Sequence, residues 1–133
     1  MDRRNFLRAI FSLSAAAPVA AGQALPAAAT TSRAILLQTS PLAGFQYYDG
    51  EAIWSQLALE ERLELRREAA NQYDEFAIEV WWRGRKLGYL PRGENETIAA
   101  MMDRGETFFG RISRLRDGKN PWERLELQVW LAT

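Results

Sequence analysis

The sequence predicts a small, mainly β domain with one principal helix, folded as a β-barrel or a curled sheet. Its length of 133 residues suits a single domain. Several short stretches alternate apolar and charged residues and are separated by Gly, Pro and Asp, as the strands of a small antiparallel barrel are. Only one segment carries residues typical of both ends of a helix. These three observations together predict the fold class.

The composition excludes several classes of enzyme. The chain has no cysteine and no histidine, so zinc sites built from thiolates and imidazoles, disulfide bonds, and Ser-His or Cys-His dyads are all excluded. Seventeen basic residues balance seventeen acidic residues. Because the net charge is zero, charge alone indicates neither a nucleic acid nor an anionic membrane as a partner.

Residues 1–29 have the composition of an export signal rather than of a folded segment. Arg3, Arg4 and Arg8 precede an uncharged stretch over 9–22, and small residues follow. That stretch is shorter than the roughly 20 residues that cross a bilayer. We therefore expect a cleaved signal and no stable membrane anchor.

The segment Arg3–Leu7 (RRNFL) resembles the twin-arginine export motif, with Arg8 in place of the usual lysine. Ala27-Ala28-Ala29 is an A-x-A site, which predicts cleavage after Ala29 and a folded domain over 30–133. The export motif predicts a periplasmic or otherwise exported location. Cleavage would remove three arginines and one aspartate and leave a net charge of −2. An amphipathic N-terminal helix is the alternative.

The folded domain begins with two predicted strands. Arg33–Thr39 contains the continuous apolar run Ile35-Leu36-Leu37 and ends before a proline, which predicts a buried first strand. Gly44–Gly50 (GFQYYDG) is aromatic and bounded by glycines. This pattern predicts a short strand that turns at its Asp-Gly pair.

The middle of the chain predicts a hairpin after one ambiguous segment. Glu60–Glu68 (EERLELRRE) has high helix propensity, yet Leu63 and Leu65 alternate with charged residues as in a half-buried strand. These residues alone leave both alternatives open. Beyond them, Ala77–Trp82 and Leu87–Leu90 surround a glycine turn and predict the hairpin.

The C-terminal part predicts the principal helix and two further strands. Asn95 can cap a helix over Glu96–Arg104, and Gly105 is the residue type expected just after a helix end. Phe108–Leu115 and Trp122–Leu131 alternate apolar and polar residues on either side of an Asp-Gly turn. We predict that both are strands.

Several spaced motifs resemble those of the HIRAN domain family. Arg67–Val80 (REAANQYDEFAIEV) is close to the family pattern R-E-P-x-N-P-Y-D-x-N-A-I-x-V, and Leu87–Arg92 (LGYLPR) contains its G-Y-L-P element. The GFQYYDG segment and Asp103-Arg104-Gly105 match two further elements in the same order, so the resemblance covers a domain core over about 33–131. It implies a small OB-like modified β-barrel, in which Glu60–Glu68 is a strand.

The resemblance implies a binding module without catalytic activity. In larger family members, including the helicase-like transcription factor, the domain is fused to a Swi/Snf-type ATPase and a zinc-binding RING, and it captures the 3′ end of single-stranded DNA. ATP hydrolysis and zinc binding belong to those fused domains, so we expect no metal and no cofactor here. An enzyme that relies on Asp49, Glu51 or Asp74 is a weaker alternative, because no motif surrounds a carboxylate pair.

The predicted nucleic-acid-binding site has eight residues: Tyr47, Tyr48, Arg67, Asn71, Tyr73, Asp74, Arg85 and Arg92. By the resemblance, Tyr47 and Tyr48 would stack on the terminal bases. Tyr73 and Asp74 would meet the terminal nucleotide, with the carboxylate accepting a hydrogen bond from the 3′-hydroxyl, and Asn71 would hold the loop. We further predict that the three arginines contact phosphates. The alternative is a self-bonded turn at 71–74 and a core role for Tyr47.

Four positions depart from the family pattern. Ala69 and Gln72 stand where the family usually has proline, and Phe76 stands where it has asparagine, which predicts a less rigid loop. Gln46 stands where the DNA-binding relative has an arginine, which removes one phosphate contact. With the export signal, these departures favour an alternative function, a periplasmic protein- or ligand-binding domain that keeps the fold but not the DNA activity.

Overall fold

The computed structural model describes residues 33–133. The predicted export signal at 1–29 and its cleavage site lie outside the described residues. Within 33–133, no helix is both long enough and apolar enough to cross a membrane.

Six antiparallel strands form one sheet. They are β1 (Ala34–Pro41), β2 (Arg62–Arg67), β3 (Ile78–Trp82), β4 (Arg85–Tyr89), β5 (Thr107–Leu115) and β6 (Leu125–Ala132). Their order in the sheet is β1-β6-β5-β2-β3-β4, and every neighbouring pair is antiparallel. The helices are α1 (Gly50–Ile53) and α2 (Glu96–Asp103), with short 3₁₀ turns at Phe45–Tyr47, Trp54–Gln56 and Pro121–Glu123. The predicted mainly β fold is confirmed.

The two edges of the sheet meet at one point without closing a barrel. Just beyond β1, Ala43 exchanges two backbone hydrogen bonds of 2.9 Å with Tyr89 of β4. Gly88 permits this approach, because a Cβ atom there would overlap the Ala43 carbonyl oxygen. One isolated bridge is not a ladder. The domain is therefore the curled sheet of the prediction, and a fully closed barrel is not formed.

β2 resolves the ambiguity in the middle of the chain. Leu63 and Leu65 are buried, whereas Arg62 and Glu64 are exposed, so the strand alternates as the prediction requires. It pairs with β3 on one side and with β5 on the other. The buried leucines join a core inside the curl that includes Ile78, Val80, Leu87, Ile98, Ile112, Leu127 and Val129. Strand pairing and burial therefore outweigh the helix propensity of this segment.

The end of α2 agrees with the prediction. Gly105 has a φ of +97°, a conformation that glycine adopts without strain. Its N–H donates to the Met102 carbonyl, and the N–H of Glu106 donates to the Met101 carbonyl. These two hydrogen bonds form a Schellman motif, which satisfies carbonyl groups that the helix end leaves without partners.

Asn95 stands at the predicted N-cap position and α2 begins at Glu96 as predicted, but the predicted side-chain cap is wrong. The Asn95 side chain makes no capping hydrogen bond and is only 1% exposed. Its amide donates instead to Oδ2 of Asp74 at 2.8 Å. A residue type that is common at helix starts serves here as a buried link to a distant loop.

β1 is an edge strand, which corrects the prediction that its apolar run is buried. Ile35, Leu36 and Leu37 are between 39% and 50% exposed. β1 pairs with β6 alone, and a bulge between Leu36 and Gln38 interrupts the register. The prediction failed because a continuous apolar run is typical of strands covered on both faces, but it does not report the position of a strand in its sheet.

The segment Gly44–Gly50 forms no strand, which corrects the prediction of a second strand: Phe45–Tyr47 is a 3₁₀ turn, and a bend at Tyr48 leads into α1, which begins at Gly50. Phe45 is buried and packs edge-on against Trp54, with ring centroids 5.6 Å apart. Gly50 lies directly against the Phe45 ring, and a Cβ atom there would overlap it. Tight helical turns bring these residues together, whereas a strand would separate them.

The last strand begins at Leu125 and not at Trp122 as predicted. Pro121–Glu123 forms a 3₁₀ turn, and the Asn120 side chain accepts a hydrogen bond from the Trp122 N–H at 3.1 Å. This cap and the proline at the start of the turn explain the later start of β6.

Candidate functional site

A groove lies between the loop at 71–76 and the segment at 92–97. Two adjoining cavities of about 600 Å³ and about 360 Å³ form it. We call it the Asp74 groove and define it by six lining residues: Tyr48, Asn71, Tyr73, Asp74, Tyr89 and Arg92. Five of the eight residues of the predicted site are among them.

Asn71 holds the loop from inside. Its Oδ1 accepts hydrogen bonds from the backbone N–H groups of Tyr73 at 2.8 Å and Asp74 at 2.9 Å. Its Nδ2 donates to Oε1 of Glu68 at 2.8 Å. These bonds organise the loop although Gln72 replaces the family's proline. The sequence left two alternatives for Asn71, a self-bonded turn and a role in the binding site. The two are compatible, because the turn positions Tyr73 and Asp74.

The Asp74 carboxylate is held through both of its oxygens. The backbone N–H of Phe76 donates to Oδ1 at 2.9 Å, and Nδ2 of Asn95 donates to Oδ2 at 2.8 Å. The Phe76 side chain, at the position where the family has asparagine, packs against the core. Each carboxylate oxygen can accept more than one hydrogen bond. Asp74 therefore has a fixed orientation and keeps capacity for a donor on a ligand.

Exposed tyrosines flank this carboxylate. Tyr73 is exposed beside Asp74, and Tyr48 lines the smaller cavity. The Tyr48 ring meets the Tyr89 ring edge-on, with centroids 5.9 Å apart. Tyr47 is also exposed but does not line the Asp74 groove. The groove therefore offers aromatic surface on which planar groups can stack.

A chain of polar contacts beneath the groove involves residues that the predicted site did not include. Tyr89 donates its hydroxyl hydrogen to Oε1 of Glu68 at 2.6 Å and accepts a hydrogen bond from Lys86 Nζ at 2.8 Å. Lys86 also pairs with Glu79 at 2.9 Å. Its Nζ lies 4.5 Å from the centroid of the Tyr48 ring. Glu68 and Tyr89 stand inside the two quoted family motifs, which is the signal that could have identified them.

The charge states along this chain follow from its contacts. Hydrogen bonds from Tyr89 and Asn71 lower the pKa of Glu68. Burial and the hydrogen bond to Glu68 raise the pKa of Tyr89 to about 12. Burial by itself would lower the pKa of Lys86, but its contacts with Tyr89 and Glu79 outweigh burial and raise it. Near neutral pH the chain therefore combines a carboxylate, a neutral phenol that donates to it, and an ammonium group.

Arg92 is the predicted phosphate contact that the structure places in the groove. It lines both cavities and is exposed. Within 33–133 it forms no ion pair. Its guanidinium group is therefore available to an anionic ligand beside Asp74.

Arg67 and Arg85 do not line the groove and are engaged within the chain. Arg67 donates to the Asp103 carboxylate at 3.0 and 3.2 Å and to the carbonyl oxygens of Glu75 and Ala77. Arg85 pairs with Asp49 at 2.9 Å. Arg67 thus holds the base of the loop. The predicted phosphate contacts of these two arginines stay predictions.

The described residues present a small antiparallel β domain with an aromatic groove around a fixed carboxylate. Within 33–133, no group of three or more Asp and Glu residues is placed to hold a metal ion. A family model described as the HIRAN domain matches residues 35–133. The chain therefore belongs to the HIRAN domain family.

Solved structures agree with this assignment. The chain is similar to a crystal structure of a protein from Lactobacillus plantarum, with 34% identity and a TM-score of 0.68, over 77% of this chain and 98% of that one. It is also similar in fold to the HIRAN domain of human HLTF, with 23% identity and a TM-score of 0.57, over 74% of this chain and 78% of that one. A comparison with curated proteins found no match.

Proposed function

We propose that this chain is a non-catalytic nucleic-acid-binding module whose Asp74 groove takes the end of a single strand. The observation that carries the proposal is the fixed Asp74 carboxylate between the exposed rings of Tyr73 and Tyr48, with Arg92 beside it. Membership of the HIRAN family, whose domain binds DNA in homologues, supports nucleic acid as the ligand.

The groove supplies the three kinds of contact that an end needs. Tyr48 and Tyr73 can stack on bases, each worth about 1–3 kcal/mol. Asp74 can accept a hydrogen bond from a terminal hydroxyl, whereas a continuous strand or a terminal phosphate has no hydroxyl there and brings negative charge toward the carboxylate. Arg92 can pair with the adjacent phosphate. The arrangement therefore favours a free 3′-hydroxyl.

We expect the binding to be weak. Gln46 replaces an arginine of the DNA-binding relative, and Lys86 is already paired with Glu79. With few phosphate contacts, the dissociation constant should be on the order of micromolar at low salt. Affinity should also fall as the salt concentration rises.

Fluorescence anisotropy with the full chain tests the proposal. Two labelled oligonucleotides of one sequence, ending in a 3′-hydroxyl or a 3′-phosphate, are compared on the parent and on Asp74→Asn. The parent should prefer the 3′-hydroxyl, and D74N should lose most of that preference. Asp117→Asn removes an exposed carboxylate outside the groove and is the matched control. Equal binding of both ends by the parent, or no binding at low salt, would refute the proposal.

The sequence of residues 1–29 favours a second candidate, an exported domain whose groove binds a protein or another ligand of the periplasm. Its support is the twin-arginine-like motif RRNFL followed by an uncharged stretch. Cell fractionation tests it with the variant Arg3→Lys/Arg4→Lys. Export of the parent and retention of the variant in the cytoplasm would support this candidate. A parent chain that stays in the cytoplasm would exclude it and favour nucleic acid as the ligand.

A further inference from the structure

Two arginines face each other across neighbouring strands on the outside of the sheet. Arg62 of β2 and Arg111 of β5 are direct partners in the antiparallel register. Neither forms an ion pair within 33–133. Like charges directly opposite each other destabilise a sheet. An anionic ligand between the two guanidinium groups would relieve this repulsion.

Aromatic rings support both guanidinium groups. The Arg62 guanidinium carbon lies 3.7 Å from the centroid of the Phe109 ring. That of Arg111 lies 5.4 Å from the Trp130 ring, and the Phe109 and Trp130 rings are stacked with an interplanar angle of 6°. The rings restrain the guanidinium groups, and Arg62 is exposed. Its N–H groups are therefore accessible to a ligand.

The nearby carboxylates are committed to other partners. Glu64, next but one to Arg62 in β2, accepts two hydrogen bonds from Arg66 at 2.8 and 3.0 Å. Glu61 accepts from Arg83 at 2.8 Å. Arg66 in turn lies 3.9 Å from the centroid of the Trp81 ring. The surface thus combines stacked arginines and aromatic rings with a local excess of positive charge.

We propose that this surface, the arginine face (Arg62, Arg66, Phe109, Arg111 and Trp130), is a second binding site for single-stranded nucleic acid. None of its residues lines the Asp74 groove. Phosphates would pair with the two unpaired arginines, and bases would stack on the guanidinium planes and on Trp130. Unstacked bases are accessible in a single strand but not in a duplex, so the single strand is the preferred ligand. This face needs no strand end.

Circular single-stranded DNA is the probe, because it has no end for the Asp74 groove to bind. The full chain is compared with Arg62→Gln/Arg111→Gln and with the matched control Arg104→Gln, an exposed arginine at the end of α2. Arg3, Arg4 and Arg8 are present in every variant, so their contribution cancels. We expect the double variant to bind the circle on the order of tenfold more weakly and to lower the salt slope by about 1.4, whereas R104Q binds like the parent.

Other outcomes would overturn the proposal. Absence of circle binding by the parent, or an equal loss in R104Q, would exclude this face. Equal affinity for inorganic polyphosphate, which has no bases, would make it a general polyanion site. A second variant, Arg62→Lys/Arg111→Lys, keeps the charge and covers the case in which the glutamine variant fails to fold. It should keep the salt slope but bind more weakly, and parent-like affinity would exclude stacking on guanidinium planes. The preference for a 3′-hydroxyl end is measured separately with linear oligonucleotides. Failure of the proposed end binding can therefore be distinguished from failure of binding at the arginine face.

Discussion

The Asp74 groove and the arginine face differ in how their polar groups are satisfied. In the groove, Asn71 and Asp74 already bond to the loop backbone and to Glu68 and Asn95. On the arginine face, Arg62 and Arg111 have no carboxylate partner within 33–133. A surface that internal hydrogen bonds organise has its geometry before a ligand binds, so it can select ligands by shape. A surface with unpaired charges selects anionic ligands, and its affinity for them falls as the salt concentration rises.

The largest expected effect is on the wall of the groove. In Gly88→Ala, the new methyl group would overlap the Ala43 carbonyl and separate the two edges of the sheet. We expect a loss of about 3 kcal/mol in the free energy of unfolding and loss of end binding. Urea denaturation measures the first. Gly118→Ala, where a Cβ atom would meet nothing, is the control and should be close to neutral. Parent-like stability of G88A would show that the bridge is not needed.

The next effect concerns the internal bonds of the loop. Asn71→Ala leaves the N–H groups of Tyr73 and Asp74 without their acceptor. We expect a loss of about 2 kcal/mol in stability and of the preference for a 3′-hydroxyl. Asn120→Ala removes a similar side-chain cap outside the groove and should reduce stability by about 1 kcal/mol without changing end preference. If N71A prefers a 3′-hydroxyl end as strongly as the parent does, the hydrogen bonds of Asn71 are not needed for end binding.

A smaller effect appears at high pH. The pKa of Tyr89 is raised to about 12, so the folded chain holds this proton more tightly than the unfolded chain, where tyrosine titrates near 10. The resulting stabilisation is complete below about pH 10 and is lost as the pH rises to about 12. Urea denaturation at about pH 9 and about pH 11 should show a smaller loss in Tyr89→Phe than in the parent. Tyr47→Phe, which removes an exposed hydroxyl, should behave as the parent does. An equal loss of stability between the two pH values in the parent, Y89F and Y47F would contradict the raised pKa of Tyr89.

The smallest effect on stability is expected on the arginine face. Arg111→Gln removes a like-charge repulsion together with a contact to Trp130, so the free energy of unfolding should change by no more than about 0.5 kcal/mol. Arg67→Gln breaks bonds to Asp103 and to two backbone carbonyls and should reduce stability by about 2 kcal/mol. Thermal denaturation compares the two variants. Equal losses of stability in R111Q and R67Q would contradict the expectation that Arg67 contributes more to stability than Arg111 does.

Local patterns in the sequence were enough where neighbouring residues decide the conformation. Gly105 predicted the end of α2. The alternation of Leu63 and Leu65 left helix and strand both open, and the family resemblance predicted the strand that the structure has. The motif around Asn71 predicted a held loop with Asp74 at its end. In each case the determining interactions lie within a few positions along the chain, or belong to a motif that keeps its residues together.

Tertiary structure alone decided what depends on distant partners. Asn95 reaches Asp74 across 21 positions, and Arg67 reaches Asp103 across 36, so neither hydrogen bond is visible in a local pattern. The exposure of the apolar run in β1 depends on its place at the edge of the sheet, which only the strand order determines. The type of a residue determines which hydrogen bonds and ion pairs its side chain can form. The partner it finds depends on which strands and loops the folded sheet brings within hydrogen-bonding distance.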